Sequence, residues 1–136
     1  MKERHSINSL FSRLCLALFL LIGSTVCMAE VTEISQAELA QLIKTNRAGL
    51  VLDVRSAEEY AEGHIPGAVN IPHDQLGIRL SEIGTHWDKD VVLYCRSGKR
   101  AGVAAGILQS AGFSKLRHLT GDMLGWQSNG ELLVSQ

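Results

Sequence analysis

Short apolar runs and helical stripes of apolar residues alternate along this chain from Val31 onward. Val31 to Ile34 reads as an opening strand. Ser35 and Glu38 have capping-box spacing ahead of Leu39, Leu42 and Ile43, which predicts a helix ending near Asn46 and Gly49. Leu50 to Val54 is a continuous apolar run broken only by Asp53, the pattern of a strand buried on both faces. Ser56 and Glu59 repeat the capping-box spacing and start a brief helix that stops by Gly63. His64 to Gly67 reads as a turn and Ala68 to Ile71 as a short strand. Leu76, Leu80 and Ile83 mark a helical stripe between His73 and Gly84.

Asp90 to Tyr94 is the most strand-like run, and Cys95-Arg96-Ser97-Gly98 follows it directly. Arg100 to Ala111 predicts a helix with Val103, Ile107 and Leu108 on one face and Gly112 at its end. Leu116 to Leu119 offers a last strand, and Met123 to Ser128 a last short helix. Strands alternating with helices over this length predict an α/β domain, with a mainly parallel central sheet and helices on both faces. No internal repeat or linker interrupts it.

The first 29 residues carry a different pattern. Lys2, Arg4 and Arg13 precede the apolar run Leu14 to Ile22, and small residues lead to Cys27-Met28-Ala29 before Glu30. This is the layout of a cleaved secretory signal, leaving a single domain over residues 30–136. Such a protein is periplasmic or secreted and free of the membrane once cleaved. The alternative is a membrane anchor, but the 16 residues from Leu14 to Ala29, at about 1.5 Å each, fall short of a ~30 Å hydrocarbon core.

Composition narrows the function. The whole chain carries 13 Lys+Arg against 14 Asp+Glu. Residues 30–136 hold 10 basic and 13 acidic side chains, a net charge of −3, which excludes a basic nucleic-acid binder. Cys15 and Cys27 leave with the signal, so Cys95 stands alone in the exported chain. A lone thiol in an oxidising compartment is either buried and inert or a working nucleophile. His73, His86 and His118 lie on separate segments without metal-ligand spacing, so no metal is expected.

The loop decides between the two fates of Cys95. In open parallel α/β sheets, ligands bind beyond the carboxyl ends of strands, where Cys95 falls. Backbone N–H groups of a short loop and the amino end of the next helix converge there and attract anions. Arg96, Lys99 and Arg100 add three cations within five residues of Cys95, an environment that favours thiolate over thiol. Ser97 and Gly98 complete the loop. A thiolate in an anion cradle suits attack on sulfur or on phosphorus.

Three segments together resemble the rhodanese family: LVLDVRSAEEYAEGHIPGAVNIP from Leu50, VVLYCRSGKRAGVAAGILQSAGF from Val91, and LTGDMLGW from Leu119. The resemblance spans nearly all of residues 31–130. It implies a rhodanese fold and a small exported single-domain sulfurtransferase that needs no cofactor. It also implies a persulfide-forming Cys95, with Arg96, Ser97, Gly98, Lys99 and Arg100 as the substrate loop. Donors would be small sulfur anions such as thiosulfate; acceptors would be cyanide in an assay and a thiol such as glutathione or a thioredoxin-like protein in a cell. Asp53, Arg55, Glu59 and His64 match the first signature and are taken as mainly structural. Asp122 stands where the family often has a second Gly after Gly121.

Blander readings stand beside these. Cys95 could be a core residue, and its cations a solvated helix start. Arg55 and Glu59, four apart, read as a surface or hinge ion pair, and Asp53 in a buried strand needs a partner such as Arg55. His64 reads as a hydrogen-bonded turn residue. Trp87 and Trp126 read as core or rim packing, with Trp126 able to wall the site. A cysteine phosphatase or arsenate reductase would carry C-x5-R, whereas here Arg100 falls one position early and Ala101 takes its place. A non-catalytic binding or sensing module would be expected to lose the Cys or the loop charges. A monomer is expected.

Overall fold

The computed structural model describes residues 29–136. The secretory signal expected over residues 1–29 lies outside the described residues except for Ala29. Among the described residues no helix is long and apolar enough to cross a membrane.

Five strands form one sheet: β1 Val31–Ile34, β2 Leu50–Asp53, β3 Val69–Asn70, β4 Val91–Tyr94 and β5 Leu116–Leu119. Their order is β1-β5-β4-β2-β3 and every pairing is parallel. Four helices connect or follow them: α1 Gln36–Lys44, α2 Ala57–Glu62, α3 Lys99–Ser110 and α4 Asp122–Ser128. Side chains alternate across the sheet, so it buries both faces. Leu50, Leu52, Val91 and Leu93 join Ala101, Ala104, Ala105 and Leu108 of α3 in one core. Val51, Val92 and Tyr94 join Leu39, Met123 and Trp126 in the other. This is the architecture expected, with β4 central.

Three expectations change. The stripe from His73 to Gly84 is not one helix but three 3₁₀ turns, Leu76–Ile78, Leu80–Glu82 and Gly84–His86. Leu76 and Ile83 are buried all the same, because the apolar spacing places anchors without fixing the turn type. On α3 the buried face is made by Ala101, Ala104, Ala105 and Leu108, while Val103 is exposed. Small residues let this helix lie close to the sheet, so alanines rather than the bulkier valine face inward. Trp87 is exposed, contrary to core packing, whereas Trp126 is buried and donates its Nε1–H to the Leu132 carbonyl at 2.9 Å.

Both capping-box signals mark helix starts. Ser35 accepts the Glu38 N–H at 3.1 Å, and the reciprocal box is complete at α2, where Ser56 accepts the Glu59 N–H and Glu59 accepts the Ser56 N–H.

Candidate active site

Cys95 is the residue that follows β4, and all four residues of that strand are buried. Cys95 is only 1% exposed and its thiol is unpaired. It packs with Leu93, Val54 and Ala101 in the first core, so the bland reading is partly right about its surroundings. The sulfur is nonetheless held by a polar group: the Gly98 N–H donates to Sγ at 3.0 Å. Gly98 is the residue before α3 and has φ +108°, a left-handed conformation that glycine adopts freely. That turn brings its amide back onto the sulfur, and the amino end of the 12-residue α3 lies beside it. An anion on this sulfur would meet a donor and a positive helix end rather than hydrocarbon alone.

The loop cations divide. Arg96 and Lys99 are exposed and neither is in an ion pair among the described residues. Ser97 is exposed as well. Arg100 is half-buried and makes a bidentate pair with Glu59, Nη1 to Oε2 at 2.6 Å and Nη2 to Oε1 at 2.9 Å. Its hydrogen bond to Glu59 raises the Arg100 pKa above the ordinary value, and the neighbouring Cys95 sulfur adds to this. The same hydrogen bond holds the Glu59 carboxyl down to about 2.

The expected pair between Arg55 and Glu59 does not form. Arg55 precedes the Ser56 cap and so is not on α2; its guanidinium turns back onto Asp53, with Nη2 to Oδ2 at 2.6 Å. That carboxylate also accepts the Arg55 backbone N–H at 2.9 Å, so Asp53 finds the partner its burial requires. Arg55 further donates to the Gly63 carbonyl at 2.8 Å, fixing the far end of α2, and its Cζ lies 5.7 Å from the Tyr94 ring centroid. Burial and the Asp53 charge push the Tyr94 phenol pKa upward, and its hydroxyl accepts the Ile65 N–H at 3.2 Å. His64 is buried with Nδ1 2.9 Å from the Tyr60 carbonyl, as a turn residue would be. These contacts hold α2 where Glu59 meets Arg100.

Two polar residues behind the loop carried no site signal in the sequence. Asp122, with φ +52° and 2% exposure, accepts the Cys95 backbone N–H on Oδ1 at 2.8 Å. Its Oδ2 lies 3.0 Å from His118 Nε2. The Met123 N–H donates to the Cys95 carbonyl at 3.0 Å and the Leu124 N–H to the Arg96 carbonyl at 3.2 Å, so the start of α4 braces the loop from behind. The usable signal was sheet adjacency: β5 neighbours β4, so the residues that follow the two strands meet.

Comparison with known proteins agrees with this geometry. The rhodanese-like domain family matches residues 35–129. A sulfurtransferase of Allochromatium vinosum is 36% identical over 77% of this chain and 96% of its own length. The human thiosulfate:glutathione sulfurtransferase is 35% identical over 73% of this chain and 96% of its own length. Among solved structures, the Alr3790 protein from Anabaena superposes with a TM-score of 0.69 at 26% identity, covering 76% of this chain and 82% of that one. A five-stranded parallel sheet, a cysteine after its central strand and these similarities together establish that the chain belongs to the rhodanese-like domain family.

Proposed function

We propose that this protein is a sulfurtransferase that carries a sulfane sulfur on Cys95, taking it from thiosulfate or a similar anion and passing it to a thiol or to cyanide. In the first step the Cys95 thiolate attacks the outer sulfur of thiosulfate. A Cys95 S–S bond forms, the sulfur–sulfur bond of thiosulfate breaks, and sulfite leaves with the electron pair. In the second, an acceptor thiolate or cyanide attacks the outer sulfur of the persulfide and the Cys95 thiolate departs unchanged. Sulfur moves with no net gain or loss of electrons, so covalent catalysis by one thiol is sufficient.

The observation that carries this reading is the 3.0 Å hydrogen bond from the Gly98 N–H to Cys95 Sγ at the carboxyl end of the central strand. Negative charge gathers on the sulfurs during both displacements, and a fixed amide with a helix end behind it is placed to stabilise that charge. Exposed Arg96 and Lys99 give the mouth of the site a positive rim in a domain of net negative charge, which suits an anionic donor. Arg100 is engaged by Glu59 rather than free to clamp a phosphate, which weighs against phosphoryl transfer. A thiol such as glutathione or a thioredoxin-like protein serves as acceptor, and the protein acts as an exported monomer.

Steady-state assay with thiosulfate and cyanide tests the reading. Thiocyanate should form with wild-type protein and not with Cys95→Ser. Hydrolysis of an aryl phosphate without thiocyanate formation would overturn it.

A further inference from the structure

The Asp122 carboxylate presents a problem for a reactive thiolate. It is almost fully buried, it is hydrogen-bonded to the Cys95 amide, and its Oδ2 stands 3.1 Å from where a Cβ on Gly98 would lie. One side chain thus packs against both the residue that bears the sulfur and the residue that donates to it. Left alone, a negative charge there would disfavour a second one on Cys95.

His118 resolves the conflict by its position. On β5 it lies between two carboxylates: Nε2 is 3.0 Å from Asp122 Oδ2, and Nδ1 is 3.3 Å from Glu33 Oε1 on β1. A neutral imidazole has one donor and one acceptor nitrogen, so one ring nitrogen would turn a lone pair toward a carboxylate oxygen. With its donor nitrogen at Nε2, the ring gives that hydrogen bond to Asp122, the buried partner, and leaves the exposed Glu33 to solvent and Thr120. Of the charged residues beside Cys95 and Gly98 in the chain, Arg96 and Lys99 are exposed and in no ion pair among the described residues. Arg117 pairs with Glu38 at 2.8 Å, and Glu33 Oε2 accepts the Thr120 hydroxyl at 2.9 Å. The Gln36 amide on α1 donates to the Asp122 carbonyl at 3.2 Å, bracing the backbone and leaving the carboxylate to Cys95 and His118.

We propose that Asp122 and His118 are a pair of positioning residues for Cys95: Asp122 fixes the main chain that presents the sulfur, and the His118 hydrogen bond draws off the Asp122 charge so that the thiolate can form beside it. Neither residue touches the transferred sulfur. The inference rests on Cys95 being the reactive sulfur, as proposed above.

The test separates charge from scaffold. On the full chain, iodoacetamide alkylation of Cys95 is followed at pH 7 by the mass of its peptide, for wild type, His118→Phe, Asp122→Asn and the double variant. Phe keeps a ring without a donor, and Asn keeps an acceptor for the Cys95 N–H. His118→Phe should alkylate severalfold more slowly, because the Asp122 charge loses the hydrogen bond that offsets it. Asp122→Asn should alkylate at least as fast as wild type, and the double variant should match it, the slow phenotype being erased. A wild-type rate in His118→Phe, or equal slowing in both single variants, overturns the proposal, since a purely structural prop gives one of those outcomes. Should His118→Phe fail to fold, the ring-nitrogen NMR signals of His118 in the wild-type protein decide. A proton on Nε2 at pH 7 supports the pair, and a bare Nε2 overturns it. Alkylation needs no sulfur donor, so a wild-type protein that transfers no sulfur refutes the proposed function and leaves this comparison intact.

Discussion

Glu59 and Arg100, 41 residues apart in sequence, join the start of α2 to the start of α3 through two hydrogen bonds of 2.6 and 2.9 Å. Glu59 is also the residue that completes the cap of its own helix by accepting the Ser56 N–H at 3.1 Å. A single carboxylate therefore fixes a helix end and orients the Arg100 guanidinium at the start of α3.

Replacing Arg100 by Ala should slow sulfur uptake by Cys95 severalfold, because a positive charge near the sulfur is lost. Glu59→Gln should slow it less, because the guanidinium remains but loses its aim. The pair is partly exposed, so Glu59→Gln should cost stability only about 1 kcal/mol or less. Rapid-mix measurement of sulfite release, beside urea unfolding of each variant, checks both parts. Equal losses of activity and stability across the two variants would contradict a role in the site.

The stability effect of Glu59 should depend on pH in one direction. Its folded-state carboxyl is held down to about 2 from an ordinary 4.5, chiefly by Arg100. Stabilisation is therefore fully present above 4.5 and fades as pH falls toward 2, where the folded form also takes up its proton. Urea unfolding should separate wild type from Glu59→Gln at neutral pH, and the gap should close in acid. A gap that persists near pH 2 would contradict the assigned ion pair.

Asp53 and Arg55 are both buried and are held by several hydrogen bonds. Arg55→Ala leaves an uncompensated carboxylate inside the protein and should cost about 3–5 kcal/mol in chemical denaturation. Removing both charges together, as Asp53→Asn with Arg55→Met, should cost clearly less than the single loss. A double variant worse than Arg55→Ala would contradict the explanation by an orphaned charge.

Gly98 takes φ +108°, and a Cβ there would stand 3.1 Å from Asp122 Oδ2. Gly98→Ala should cost roughly 1–3 kcal/mol of stability through backbone strain. It should also weaken the amide contact to Cys95 Sγ, slowing alkylation of the thiol. A variant with unchanged alkylation would show that the Gly98 amide contributes nothing to the ionised sulfur.

Much of this arrangement was legible in the sequence, and the misses have physical causes. The apolar runs at Leu50 and Val91 marked β2 and β4, two of the three inner strands, because a parallel sheet covered on both faces has no polar side to show there. The loop at Cys95 stood out because a glycine and three cations follow such a strand directly. Arg55 and Glu59 misled because spacing of four residues brings side chains together only inside a helix, and Arg55 lies before the cap. Val103 misled because apolar size does not report inward direction when alanines make the close contact. The Asp122 contact to Cys95 depends on which strands lie side by side, which local periodicity does not encode. The left-handed turn at Gly121 and Asp122 is in keeping with the tolerance of Asp for that conformation.

The measurement that bears most directly on the account is the mass of the Cys95 peptide after the full chain is incubated with thiosulfate and freed of excess donor. The account predicts a gain of one sulfur atom on that peptide, its removal by cyanide, and no gain in Cys95→Ser. A folded protein whose Cys95 peptide gains nothing, or that gains sulfur equally well in Cys95→Ser, would contradict it.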